Sequence, residues 1–168
     1  MNKKTIHLLV YFLIILNISF GQVPNQGDYI TNSNIDKFEG TWKWTLGNDE
    51  VIIKLKKVKF LNSSPAYYDD VLLGCHTYIK NGIVVESSMG DFDLLGPGRK
   101  GTIYLWNIPE ESSTKVIGSL KDISKDKDGK LTFEYINGSS PQIQWTLNTY
   151  EGLVIQPIPA GLTLPQSI

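Results

Sequence analysis

Histidine and cysteine are nearly missing from this 168-residue chain, which holds two His and one Cys. His7 lies in the apolar N-terminal stretch, so His76 alone is available to a folded domain. Zinc sites built from several His or Cys ligands are excluded, since they need about three or four such groups. Cys75 cannot close an intramolecular disulfide, so the fold has to be held by its core. Arginine is also scarce: Arg99 stands alone, and guanidinium clusters that fork onto phosphate or carboxylate are excluded with it. Sixteen Lys and Arg face 17 Asp and Glu, a net charge of −1, which gives no general electrostatic case for nucleic acid or an anionic membrane. No convincing amphipathic helix and no nucleophile-elbow pattern occur. Cys75 and His76 are neighbours on a β-rich run, where adjacent side chains point to opposite faces, so they cannot form a dyad. His76 is expected to be a strand histidine satisfied by hydrogen bonds and Cys75 a small buried strand residue. The chain is expected to be non-enzymatic and to need no cofactor or metal.

What is present begins with an export pattern. Lys3 and Lys4 precede the apolar run Leu8–Leu16, and Ser19 and Gly21 supply small residues before a cut ahead of Gln22. Residues 1–21 therefore read as a signal peptide, and the mature protein as exported, periplasmic or secreted, with no membrane association after cleavage. Loss of the two lysines moves the net charge from −1 to about −3. Residues 22–37, rich in Asn, Gln, Gly, Ser and Asp without periodicity, read as a flexible arm. The folded domain is expected over 38–168.

From Phe38 the chain alternates strands and turns. Strands are predicted at about 39–47, 50–60, 72–80, 83–88, 101–107, 114–123, 130–136, 142–149 and 152–156. In the second, Val51, Ile53 and Leu55 are in phase, but Val58 and Phe60 fall on the opposite parity. One extra residue near Lys56–Lys57, a β-bulge, would restore the phase. Asn62 to Asp70 reads as a loop, and Asp91–Leu95 allows a short helical turn. Asn81-Gly82 predicts a type I′ hairpin, with Tyr78 opposite Val85 and His76 opposite Ser87. Ser124 to Gly129 has the look of a calcium loop, but Tyr135 stands where the twelfth-position Glu belongs. A hairpin turn centred on Asp126-Lys127-Asp128-Gly129 is expected instead. The pairs Asp69-Asp70 and Glu110-Glu111 read as solvated. Eight or nine short-looped strands predict an all-β fold, an antiparallel up-and-down barrel of about eight strands, with a β-sandwich as the alternative. The interior of such a barrel is filled by side chains or holds one small ligand. The strand aromatics Trp44, Tyr104, Trp106 and Trp145 are the candidate ligand-binding residues.

Phe38-Glu39-Gly40-Thr41-Trp42 resembles the Gly-x-Trp opening of lipocalins and the wider calycin group. The arm, the Asn-Gly hairpin and the Leu-Pro ending also resemble small exported lipocalin-like proteins of Bacteroidota grouped as a domain of unknown function. The resemblance implies a lipocalin-like barrel in which Gly40 and Trp42 are structural, with the Trp packed across the base. Two roles follow as expectations. One is an exported lipocalin-like protein, its role otherwise uncharacterised, that binds a small apolar ligand. The other is an envelope or protein-interaction module with a filled barrel, engaging a protein partner through loops 61–70 and 89–99 or the arm.

Overall fold

A computed structural model of the chain describes residues 24–63, 66–98, 101–106, 113–138, 140–149 and 164. The expected leader over 1–21, the strand at 152–156, Arg99 and Glu110-Glu111 lie outside the described residues. Among the described residues nine strands form one sheet: β1 (Tyr29–Ile30), β2 (Gly40–Leu46), β3 (Asp49–Ser63), β4 (Ala66–Lys80), β5 (Ile83–Ser87), β6 (Ile103–Trp106), β7 (Lys115–Asp122), β8 (Lys127–Ile136) and β9 (Gln142–Thr149).

The sheet is arranged on β4. One of its edges carries β3 in an unbroken antiparallel ladder from Glu50↔Ile79 to Ser63↔Ala66. The other edge is shared by three short strands in series: β1 at Tyr68–Asp69, β6 at Leu72–Gly74 and β5 from Thr77 to Lys80. From β2 to β9 the strands run as a meander, with β5 and the parallel β1 added at the side. The sheet curls into a nearly closed antiparallel barrel, as the strand count predicts. Its end strands β2 and β9 face each other without a ladder among the described residues.

Two apolar clusters lie on the two faces of this sheet. The inner one holds Leu55, Leu72, Ile103, Leu105, Leu131, Phe133 and Trp145, all at most 2% exposed. The outer one joins Val71, Leu73 and Cys75 of β4 to Val58, Phe60 and Tyr104, under a 3-10 turn at Met89–Leu94 and Leu95. This second cluster overturns the expected bulge near Lys56–Lys57. The β3 ladder has no extra residue. The apolar phase changes because the first half of β3 packs inward and the second half outward. Lysines of β3 cover the outer cluster, with Lys54 Nζ 4.1 Å and Lys56 Nζ 5.3 Å from the Phe92 ring centroid.

Local corrections have the same origin, contacts made far away in sequence. The loop expected over 62–70 is largely strand, because β3 and β4 pair with each other from Ser63↔Ala66 onward and β1 lies alongside Tyr68 and Asp69. Asp70 is not solvated: it is 5% exposed and accepts hydrogen bonds from Tyr29 Oη at 2.7 Å and the Asn32 amide at 2.9 Å. Within the segment expected to be a free arm, β1 pairs with β4 and a 3-10 turn at Ser33–Phe38 places Ile35 and Phe38 in the inner core at 0% exposure. The β7–β8 turn lies earlier than expected, at 123–126, with Asp126 at φ 51° and Gly129 already paired with Leu120. Cys75 is a buried strand residue, as expected.

Close strand approach needs glycine on β7 against β6 and on β4 against β3. A Cβ on Gly118 would stand 1.9 Å from the Tyr104 carbonyl oxygen, and one on Gly74 would stand 2.7 Å from the Lys54 carbonyl oxygen.

Candidate ligand-binding clefts

Where β2 and β9 fail to pair, side chains from both line an open cleft of about 500 Å³. Trp42 and Trp44 enter from β2, Ile143 and Trp145 from β9, and Val51 and Phe133 from the strands behind them. Alternation along each strand puts them there: Trp42 and Trp44 share one face of β2, and Ile143 and Trp145 one face of β9. Trp145 is fully buried and stacks on Phe133 at 6.3 Å and 20°. Its indole Nε1–H has no hydrogen-bond partner, an arrangement that costs about 1–3 kcal/mol for a buried donor. Trp42 is settled differently. Its Nε1–H donates to the Phe38 carbonyl at 2.8 Å, and its ring meets Tyr135 edge-on at 6.4 Å. Gly40, at φ 119°, turns the chain into β2, a conformation that favours glycine. Lys37 completes this end of the seam, its Nζ 5.4 Å from the Tyr135 ring centroid and bonded to the Ser113 carbonyl.

Trp44 and Trp145 thus come together, while Tyr104 and Trp106 do not join them. On β6 the inward residues are Ile103 and Leu105, so Tyr104 and Trp106 face outward. They line a second cleft of about 750 Å³, beside the point where β4 passes from pairing with β1 to pairing with β6. Their rings lie 5.4 Å apart at 44°, and Phe60 sets its ring 5.5 Å from Tyr104. Asn62, Tyr67 and Asp69 share this cleft. Burial, then the nearby Asp69 carboxylate and Tyr67, push the Tyr104 phenol up from its ordinary value.

The acid that the sequence reading missed is Glu86. With Val85 bulged out of the β4–β5 ladder, Glu86 sits opposite Tyr78 and turns inward. His76 Nε2–H donates to Glu86 Oε1 at 2.7 Å, and Glu86 Oε2 accepts from the Ser124 amide at 2.8 Å and hydroxyl at 2.6 Å. On the far side of the ring, Nδ1 is 2.9 Å from Thr102 Oγ1, which is 2.8 Å from Ser88 Oγ. Burial raises the Glu86 carboxyl. The hydrogen bonds from His76 and Ser124 and the His76 charge outweigh that and hold it below its ordinary value. His76 is a hydrogen-bonded strand histidine, as expected. The network fastens the β4–β5 hairpin, residue 102 and the β7–β8 turn to one another. The signal for Glu86 was present in part, because Asn81-Gly82 fixes the turn (φ 52° and 78°), but nothing local announces the bulge three residues on.

The family described as "Family of unknown function (DUF6705)" matches residues 2–168 of this chain. No curated protein and no solved structure matches it.

Proposed function

We propose, for a chain that belongs to the DUF6705 family of unknown function, that it is an exported, lipocalin-like, non-enzymatic barrel holding a small apolar molecule in the β2–β9 seam. The observation that carries this reading is the unpartnered Trp145 Nε1–H in a cleft walled by Trp42, Trp44, Phe133 and Ile143. Small-molecule sites are mostly apolar, with few polar groups, and commonly enclose about 300–1,000 Å³. A buried indole donor asks for one acceptor, so the ligand is an apolar body bearing a carbonyl or hydroxyl oxygen. Export rests on the basic start, apolar run and small-residue cut pattern of residues 1–21.

Delipidated protein mixed with dodecanol or dodecanoic acid, followed by native mass spectrometry and tryptophan fluorescence, tests the site. Retention that weakens about tenfold in Trp145→Phe, a loss of roughly 1.4 kcal/mol, is the expected result. No retention of either compound, or retention indifferent to Trp145→Phe and Trp44→Ala, sinks the reading.

A second reading has its own support. A cluster of buried apolar side chains packs within the barrel, and the edge strand β5 exposes Ile83, Val84 and Val85, at 71%, 58% and 39%. An exposed apolar edge strand is a ready docking surface, which suits an envelope or protein-interaction module. Retention of dodecanol by the seam separates the two.

A further inference from the structure

The second cleft, on the outer face of the sheet, carries an unusual pair of atoms. Asn62 Nδ2 and Asp69 Oδ1 are both buried, and neither has a hydrogen-bond partner. One is a donor and the other an acceptor, and both residues line the cleft that holds the Tyr104–Trp106 ring pair. Asn62 on β3 faces Tyr67 across the ladder, and Asp69 on β4 faces Phe60. The two orphaned groups therefore lie on one face, two register positions apart. Native interiors leave few such groups unmatched, because a buried orphan gives up its water hydrogen bonds for nothing in return. The neighbouring Asp70 is not part of the deficit, since both its oxygens are engaged, Oδ1 by Tyr29 and Oδ2 by Asn32.

We propose that this cleft binds a neutral saccharide, with a ring laid on Tyr104 and Trp106 and its hydroxyls bridging Asn62 and Asp69. A hydroxyl donates and accepts, so neighbouring hydroxyls of one ring meet both the carboxylate and the amide. Aromatic faces supply apolar area at low conformational cost and suit the C–H face of a sugar. An anionic ligand is disfavoured by Asp69 and Asp70 side by side. A simple cation would answer Asp69 and the rings but leave the Asn62 donor unmatched. This site is separate from the seam and does not depend on the proposal made for it.

The test titrates cellotriose, chitotriose and maltotriose into the purified protein by calorimetry, with cyclohexylamine as the cationic alternative. At least one trisaccharide is expected to bind with a dissociation constant of about 1 mM or lower. Trp106→Ala and Asp69→Asn should each weaken it about tenfold or more, with Trp145→Phe leaving it unchanged. Asp69→Asn keeps shape and strand register, so it reads the site even where Trp106→Ala unfolds the cleft. Three results overturn the proposal: no trisaccharide binds, binding survives Asp69→Asn and Trp106→Ala, or only the amine binds.

Discussion

The wall built on β4 and the seam between β2 and β9 are made of the same sheet, yet they are held in opposite ways. Along β4 both edges are laddered and both faces are covered by apolar clusters, so Val71 to Cys75 are buried without exception. At the seam β2 and β9 end the sheet with no ladder between them among the described residues, and ring contacts such as Trp42 on Tyr135 lie there instead. A ladder fixes position and leaves no room, whereas rings can part. Rigidity and a place to bind therefore sit on opposite sides of one barrel. Substitutions should be costly at the wall and cheap at the seam, and their order is the means to break that contrast.

The largest effect is expected where the ladders continue from β4 through β6 to β7, from Gly118→Ala on β7. The added methyl would overlap the Tyr104 carbonyl oxygen, backbone that no side-chain rotation can clear. Overpacking of this kind costs about 3 kcal/mol or more where backbone has to move. Urea unfolding measures it. A loss under about 1 kcal/mol would mean that β6 and β7 are not locked as described.

Next comes the buried network that pins the loops to β4. Glu86→Gln keeps the shape but removes the charge that two donors on Ser124 and one on His76 converge on, for an expected loss of about 1–3 kcal/mol. The pH dependence has a definite sign. Glu86 is held below its ordinary value of 4.5 in the folded state, so its contribution is complete above that value. It fades as acid carries the pH down through the folded pKa, because protonation then competes with folding. Stability of the parent protein should fall more steeply below pH 4.5 than that of Glu86→Gln. Parallel acid limbs would remove Glu86 from the wall's account.

How much of this was legible in sequence divides along the same line. Period-2 alternation and the Asn-Gly turn reveal the meander and most strand positions, because both signals are local. The outer face of β4 was not legible, since it depends on a distant 3-10 turn at Met89–Leu94 and on the second half of β3. That is why the parity change at Val58 read as a bulge, and why the real bulge, at Val85, passed unnoticed. Of the four candidate aromatics, Trp44 and Trp145 lie at the seam and Tyr104 and Trp106 outside the barrel. Composition names aromatics, but only pairing register decides which face of β6 they occupy. Asn62 and Asp69 read as loop residues because the Asn62–Pro65 turn signals hide a β3–β4 ladder that runs on to Ser63↔Ala66, and β1, two residues long, is too short to announce itself.

At the seam a smaller effect is expected. Trp145→Phe removes an unmatched donor, a gain, and also removes ring volume beside Phe133, a loss. The two terms are of similar size, so unfolding free energy should move by less than about 1 kcal/mol. A loss near 3 kcal/mol would show that the ring fastens the seam and does not merely line it.

The smallest effect belongs to Lys43 on β2. Its Nζ is 2.9 Å from Glu50 Oε2, but the two side chains are 52% and 30% exposed, so water screens the pair. Lys43→Ala should change stability by no more than about 0.5 kcal/mol. Lys43 also borders the cleft, where its charge is already answered by Glu50. Its removal should therefore weaken dodecanoate by about threefold at most and leave dodecanol unaffected, because only the acid carries a charge for it to meet. If Lys43→Ala instead destabilised the protein as much as Glu86→Gln, an exposed ion pair would be doing at the seam what a buried network does at the wall. The two sides of the barrel would then be fastened alike, and the seam would no longer be the place where the sheet can open.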